Sequence, residues 1–307
     1  MRGLLVTTVS FCKYTSEPLA MLEENGFEII KDYGLKNIRS FNEEQLQSIE
    51  AMVVGLEKVD ASIMDLLPNL KIIAKHGAGV DNIDLAAAKE RNIHVSNVPG
   101  ANSNAVADLA IGLMIDVSRM ISRADRSVRS GKWERFYGNE MAGKTLSILG
   151  FGAIGQAVAR RAMGFGMHIL AYDIVRPDFA CIEFVEAEEA IRRGDFITLH
   201  LPLTESTKNI INKETIALMK PSAYLINTAR GGLIDEEALL DALESNRIAG
   251  AALDVFAHEG NLDPRFFQLD NVVLTPHIGG FSQEAINTIS MKCTEAILAY
   301  CGQLVCA

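Results

Sequence analysis

Apolar residues recur along this chain in two rhythms, and their alternation lays out the elements before any chemistry is considered. Short, nearly continuous apolar runs at residues 4–9, 27–30, 51–54, 71–74 and 93–96 predict strands, because a strand covered on both faces has no solvent side to keep polar. Between them, residues 17–25, 42–49, 60–67 and 84–91 carry apolar positions at helical spacing, with Asn42 and Asp84 placed as N-caps and Asn25-Gly26 as a helix stop. Repeated strand and helix units of this kind predict a parallel sheet with helices on both faces.

From residue 101 to 130 the strand rhythm stops. Val106, Leu109, Ile111, Leu113, Met114, Val117 and Ile121 fall on helical faces, which predicts one long crossover helix. The arm that follows, residues 126–141, carries the only tryptophan, Trp133, with Phe136 and Tyr137, a cluster expected to pack on its own domain or on a second subunit. A second series then gives six strands, at 145–149, 169–172, 196–200, 223–227, 249–254 and 272–274. Residues 282–300 form a last amphipathic helix, which is free to return to the first series because the second is complete by about residue 280. The predicted fold is α/β: two Rossmann-like or flavodoxin-like domains with parallel sheets, joined by crossover helices. Residues 1–99 with 282–307 make one discontinuous domain, and 100–281 make the other, including the crossover helix and the arm.

At 307 residues the chain exceeds what one core usually serves, which agrees with two domains. Its 49% hydrophobic and 22% charged residues are those of an ordinary globular protein. The net charge of -10, with no basic stripe, argues against nucleic acid and acidic membranes as partners, so an anionic substrate needs a local positive pocket. Cys12, Cys181, Cys293, Cys301 and Cys306 form no C-x-x-C pair and no metal-ligand spacing, so reduced thiols and no metal are expected. The N-terminus runs straight into a strand without a signal-peptide pattern, and no apolar stretch reaches the roughly 20 residues of a membrane span; a cytoplasmic protein is expected.

The chemistry starts at residues 144–159, where a buried strand meets a glycine turn and a helix opens directly after it. Gly150, Gly152 and Gly155 form G-x-G-x-x-G: the first for the tight turn, the second for close approach of a pyrophosphate, the third for packing of helix on strand. The next strand ends in Asp173, 18 residues past Gly155, where a carboxylate accepts bonds from the ribose hydroxyls of NAD. Arg176 lies three residues on and is the reservation, since it could cover a 2′-phosphate instead. The expected cofactor is NAD, with Gly150, Gly152, Ala153, Ile154, Gly155, Asp173, Pro202, Thr228, Ala229 and Asp254 as the candidate cofactor residues.

Ligands of open α/β sheets sit beyond the carboxyl ends of strands. There the sequence places Lys75, His76, Gly77, Ala78 and Gly79, then Thr228-Ala229-Arg230-Gly231-Gly232, then Asp254 to Glu259, then Thr275-Pro276-His277-Ile278-Gly279-Gly280. Hydride transfer between NAD and a hydroxy acid needs one group to hold a carboxylate and another to move the hydroxyl proton. The planar fork of Arg230 suits the first, helped by backbone N–H groups of the glycine loop at 77–79. His277 suits the second, because an imidazole ordinarily titrates at about 6.5, and Glu259 would orient the ring and favour its charged form. Asp254 has two open readings, one holding the cofactor and one bonding its own turn.

Taken together, the glycine fingerprint, Asn227-Thr228-Ala229-Arg230-Gly231-Gly232, Asp254-Val255-Phe256 with Glu259, and Thr275 to Gly280 resemble the D-isomer-specific 2-hydroxyacid dehydrogenase family along essentially the whole chain. The resemblance implies Arg230 as the substrate-binding and polarising residue, Glu259 and His277 as the proton-transfer pair, and a homodimer built around the crossover helix and the arm. Within the family, Gly77 to Asp84 and Gly131-Lys132-Trp133-Glu134-Arg135 look most like D-3-phosphoglycerate dehydrogenases, which implies 3-phosphoglycerate and 3-phosphohydroxypyruvate as the substrate pair. Two positions depart from that pattern. Gly260 stands where a proline usually follows the glutamate, and Val54-Gly55 stands where many phosphoglycerate enzymes place an arginine, leaving Lys75 and Arg135 as the candidate phosphate contacts. The chain also ends at Ala307, short of the regulatory domain that longer members append. The alternatives are a hydroxypyruvate or glyoxylate reductase of the same family and, in another class, an NAD-sensing corepressor that binds protein partners.

Overall fold

A computed structural model of the chain describes residues 2–303, and Cys306 lies outside them. The chain divides into two units, Met1–Asn102 with Gly280–Ala307, and Ser103–Gly279.

The first unit runs β1 (Arg2–Val6), α1 (Glu17–Glu24), β2 (Phe27–Lys31), α2 (Glu43–Ser48), β3 (Ile49–Val54), α3 (Ala61–Met64), β4 (Ile72–Lys75), α4 (Leu85–Glu90) and β5 (His94–Ser96). Its five strands pair in parallel in the order β2-β1-β3-β4-β5, and β1, β3 and β4 at the centre are almost wholly buried. Local chemistry sets the helix ends. Asn42 accepts from the Gln45 amide while the Gln45 side chain accepts from the Asn42 amide, and Asp84 accepts from the Ala87 amide. The run expected as a strand through residue 9 stops at Val6, because Thr8 and Ser10 bond to each other at 2.9 Å and the backbone folds into a turn that ends at Cys12, φ 57°.

The second unit opens with α5 (Ser103–Arg119) and α6 (Ile121–Arg129), then β6 (Thr145–Leu149), α7 (Ala153–Gly164), β7 (His168–Tyr172), β8 (Ile182–Phe184), α8 (Ala187–Arg193), β9 (Phe196–Leu199), α9 (Lys213–Leu218), β10 (Tyr224–Asn227), α10 (Glu236–Glu244), β11 (Gly250–Leu253) and β12 (Val272–Leu274). The chain then returns to the first unit through α11 (Gln283–Gln303). All seven strands are parallel, in the order β12-β11-β10-β9-β6-β7-β8, so the direction of winding reverses between β6 and β9. One apolar core fills each face of this sheet: Leu149, Ile197, Leu225, Leu239 and Leu253 on one, Ile148, Ile226, Met114 and Val158 on the other.

Two expectations are corrected here. The single crossover helix is two, broken at Met120, which takes a left-handed conformation at φ 55°. The Ser118 carbonyl is taken at 2.9 Å by the amide of Asn139, where the arm crosses the end of α5, and the Ser122 amide turns instead to Asp116 at 2.7 Å. The sheet has a seventh strand, β8, whose three residues on the sheet edge are too few to show a period. The arm is settled in part: Trp133 and Tyr137 are 79% and 89% exposed rather than packed on their own domain, while Phe136 is half-buried under the Arg123 guanidinium, 4.6 Å from the ring centre.

Candidate active site

The winding reverses between β6 and β9, and doubly wound sheets bind their ligands at the carboxyl ends of the strands beside such a reversal. The three glycines there answer to different constraints. At Gly150, φ +99°, a Cβ would stand 2.5 Å from the carbonyl carbon of His200, so the turn off β6 fits against the end of β9 only without a side chain. At Gly155 a Cβ would stand 2.1 Å from the Gly150 oxygen, the contact that seats α7 on its strand. Gly152 is the N-cap of α7, has no side-chain cap, and has nothing within 4 Å of where a Cβ would be. No protein group requires a glycine there. The orphan N–H groups of the first turn of α7, at Ala153 and Ile154, open on that space.

At the end of β7, Asp173 is fixed by the Phe151 amide at 2.6 Å and the Val175 amide at 3.0 Å. Arg176 is held away from it by Glu186 at 2.6 Å. Pro202, exposed beyond β9, accepts the Thr207 hydroxyl at 2.6 Å. Thr228, beyond β10, is buried, and its Oγ1 has no partner among the described residues; neither has Nδ1 of His200, whose Nε2 meets Thr198 Oγ1 at 2.9 Å. Burial lowers the His200 pKa to about 3, so the ring is neutral.

Beyond β10, Asn227 builds the turn that presents Arg230. Its buried side chain donates to the Arg230 carbonyl at 2.8 Å and accepts from the Ala229 amide at 3.0 Å, and Arg230 Nη1 donates to the Ala229 carbonyl at 2.7 Å. Beyond β11, residues 258–261 form a turn closed by the Asn261 amide on the His258 carbonyl at 3.0 Å, with Glu259 second and Gly260 third at φ +85°. That is the place where a tight turn takes glycine, and a proline ring, fixed near φ −65°, cannot occupy it.

Beyond β12, His277 turns left-handed at φ 53° and sets Nδ1 against both oxygens of Glu259, at 2.8 and 2.9 Å. Its Nε2 has no protein partner among the described residues. Burial pushes the Glu259 carboxyl up, but the His277 hydrogen bond and charge, the Phe256 amide and the Arg230 guanidinium outweigh it, so the group lies below the ordinary carboxylate range. Asp254 is bonded into its own turn. It is wholly buried and takes Thr275 Oγ1 at 2.6 Å, the Ile278 amide at 2.8 Å and the Gly279 amide at 2.8 Å, while its carbonyl takes the His277 amide at 2.9 Å. Its work is to hold the strained turn that carries His277. Asn227 is the positioning residue that the sequence motifs pass over; the signal was a polar residue closing an otherwise apolar strand, just before the turn that needs it.

In the first unit the expected anion contacts separate into two kinds. Lys75 is 4% exposed and its ammonium donates to the Gly55 carbonyl and, at 2.9 Å, to Asn82 Oδ1, so it closes its own loop rather than offering a charge to a phosphate. His76 is likewise turned inward, between Ser10 and Ser290. The Gly77 amide is spent on the Lys75 carbonyl at 2.8 Å, which leaves the amides of Ala78 and Gly79 as donors without a protein acceptor among the described residues. Arg135 is exposed on the arm.

The sequence profile described as D-isomer specific 2-hydroxyacid dehydrogenase, NAD binding domain, matches residues 111–279. The chain belongs to the D-isomer-specific 2-hydroxyacid dehydrogenase family. It is 47% identical over 264 residues to a hydroxypyruvate reductase of Thermotoga maritima, covering 84% of this chain and 86% of the relative. It is 43% identical over 271 residues to a glyoxylate reductase of Thermococcus litoralis, covering 84% and 82%. A D-3-phosphoglycerate dehydrogenase of Methanocaldococcus jannaschii is also 43% identical, over 277 residues that make 86% of this chain but 53% of the relative. Among solved structures, the TT0316 protein of Thermus thermophilus superposes with a TM-score of 0.89 at 34% identity, covering 99% of this chain and 97% of that one.

As a dehydrogenase of this family the chain binds NAD through its second unit. The residues present fit that cofactor: an uncapped helix start with open space for a pyrophosphate, a fixed carboxylate at the end of β7, and an orphaned buried hydroxyl at Thr228. No helix among the described residues is long and apolar enough to cross a membrane, and no described cluster of His, Cys, Asp and Glu has metal-site geometry.

Proposed function

We propose that this dehydrogenase reduces a small, unphosphorylated 2-keto acid, glyoxylate or hydroxypyruvate, to its D-2-hydroxy acid with NADH. The observation that carries the choice over 3-phosphohydroxypyruvate is the inward turn of Lys75, which gives its charge to the Gly55 carbonyl and to Asn82 rather than to a phosphate, while residue 55 is a glycine and not an arginine. An arginine at 55 would also strike Thr8, whose Cβ lies 2.7 Å from where a Cβ at 55 would be. The relatives named hydroxypyruvate and glyoxylate reductase support the same reading.

NADH supplies the hydride; the chain's own residues bind, orient and move the proton. In the second unit Arg230 offers its fork to the carboxylate or carbonyl oxygen of the substrate; in the first unit the Ala78 and Gly79 amides are donors for a carboxylate. His277 enters as the imidazolium, oriented through Nδ1 by Glu259, and its Nε2 gives a proton to the carbonyl oxygen as that oxygen becomes an alkoxide. Asp173 favours NAD over NADP, since a 2′-phosphate would face a carboxylate while Arg176 is occupied by Glu186.

The test is NADH and NADPH oxidation against glyoxylate, hydroxypyruvate, phosphohydroxypyruvate and pyruvate. The expected outcome is a kcat/KM at least about tenfold higher for glyoxylate or hydroxypyruvate than for the phosphorylated acid, and for NADH than for NADPH. A preference for phosphohydroxypyruvate would overturn the substrate choice, and equal use of both cofactors would overturn the role of Asp173. We also infer that the exposed arm pairs two copies of the chain.

A further inference from the structure

We propose that His76 is a positioning residue of the first unit: clamped between Ser10 and Ser290, it holds the turn whose Ala78 and Gly79 amides receive the carboxylate of the 2-keto acid. The proposal rests on the substrate reading above and goes beyond it, since it gives a histidine that touches no substrate a measurable part in substrate affinity.

Both ring nitrogens are occupied from segments far off in sequence. Nδ1 meets Ser10 Oγ at 3.2 Å, and Nε2 meets Ser290 Oγ on α11 at 3.0 Å. Each serine is itself fixed: Ser10 Oγ lies 2.9 Å from Thr8 Oγ1, and Ser290 Oγ accepts the Cys12 amide at 3.0 Å. The edge of Phe11 closes the ring in, with centroids 5.9 Å apart. A neutral imidazole has one donor and one acceptor, and each hydroxyl can play the complementary part, so the half-buried ring leaves nothing unsatisfied.

This clamp sits one residue before the turn. The His76 amide donates to the Val54 carbonyl at 2.8 Å, Gly77 folds at φ +155° with its amide on the Lys75 carbonyl, and its own carbonyl takes the Val98 amide at 2.9 Å. The backbone is thus held up to Gly77, and beyond it the amides of Ala78 and Gly79 meet no acceptor among the described residues. Two amides bind a carboxylate well only when both are held at the right angle beforehand, because ordering them on binding costs affinity. The ring ties that angle to β1's following turn and to α11, which no contact within residues 75–79 can do.

The experiment compares the full chain with its His76→Ala, His76→Gln and Ser290→Ala variants. It measures KM and kcat for glyoxylate, the Kd of NADH by fluorescence, and amide hydrogen exchange in the segment 76–82. In His76→Ala, KM for glyoxylate should rise about tenfold to a hundredfold with the Kd of NADH within twofold, and exchange in 76–82 should speed up. His76→Gln, which keeps a donor and an acceptor, should recover most of the loss, and Ser290→Ala should fall between. A lower melting temperature with KM unmoved, or KM and the NADH Kd rising together, would overturn the proposal. Should His76→Ala fail to fold, the milder Ser290→Ala decides by the same readouts. If the wild type reduces neither glyoxylate nor hydroxypyruvate, the substrate reading fails, while the exchange of 76–82 still tests the clamp.

Discussion

Two histidines with opposite surroundings divide polar work in this molecule. His277 gives Nδ1 to Glu259, whose carboxyl is raised by burial but lowered further by the His277 hydrogen bond and charge, so that it lies below its ordinary range. Glu259→Gln, which loses the carboxylate that orients the ring, should lower kcat for reduction with NADH affinity little changed. His277→Asn should cost roughly 10²–10⁴-fold in turnover; a near wild-type rate would assign the proton elsewhere. His76 is the opposite case, its pKa lowered from 6.5 to about 4 by burial first and by the Lys75 charge second. Because the unfolded chain binds that proton more readily, the stability tied to the neutral ring is complete above pH 6.5 and is lost as pH falls towards 4. Its size is about 3 kcal/mol, from the width of that window. Urea midpoints measured from pH 7 to 4 should fall more steeply for the wild type than for His76→Gln, and parallel curves would deny His76 this part.

At the scale of the element, the turn from β6 to α7 shows how one glycine motif serves two masters. Gly150 and Gly155 are demanded by protein packing, with backbone atoms at 2.5 and 2.1 Å from any added Cβ, whereas Gly152 faces open space. Gly150→Ala should lower the melting temperature sharply, since neither His200 nor the end of β9 can give way. Gly152→Ala should leave the melting temperature within a degree or two and weaken NADH binding, measured by fluorescence titration. Unchanged NADH affinity in Gly152→Ala would remove the pyrophosphate from this turn. The same logic holds beyond β11, where Gly260 gives the glutamate's turn its left-handed third residue; the motif's usual proline would need another turn.

For the whole molecule, the arm is the feature that one copy of the chain leaves unexplained. Trp133 and Tyr137 are large aromatic side chains standing almost fully in water, a costly arrangement for a single chain and an ordinary one at an interface. Light scattering should give twice the 33.5 kDa chain mass. Trp133→Ser with Tyr137→Ser should shift that mass towards one chain; an unchanged dimer would place the interface elsewhere.

The sequence by itself determined the two parallel sheets, the glycine turn and the order in which Arg230, Glu259 and His277 follow strand ends. Each of these is written in short-range terms: a period of apolar residues, a turn residue, a cap. The break at Met120 was not legible, because it follows from Asn139 taking the Ser118 carbonyl from across the arm, and neither residue signals that locally. Nor was β8, whose three residues become a strand only by pairing with β7. The largest change fell on Lys75 and His76. In sequence both stand beside a glycine loop at a strand end and read as contacts for an anion. In the folded unit Gly55 and Asn82 claim the lysine, and Ser10 and Ser290 claim the histidine. Whether a charged or polar side chain faces a ligand or its own core depends on partners brought from 7 to 214 positions away, and only tertiary structure supplies those.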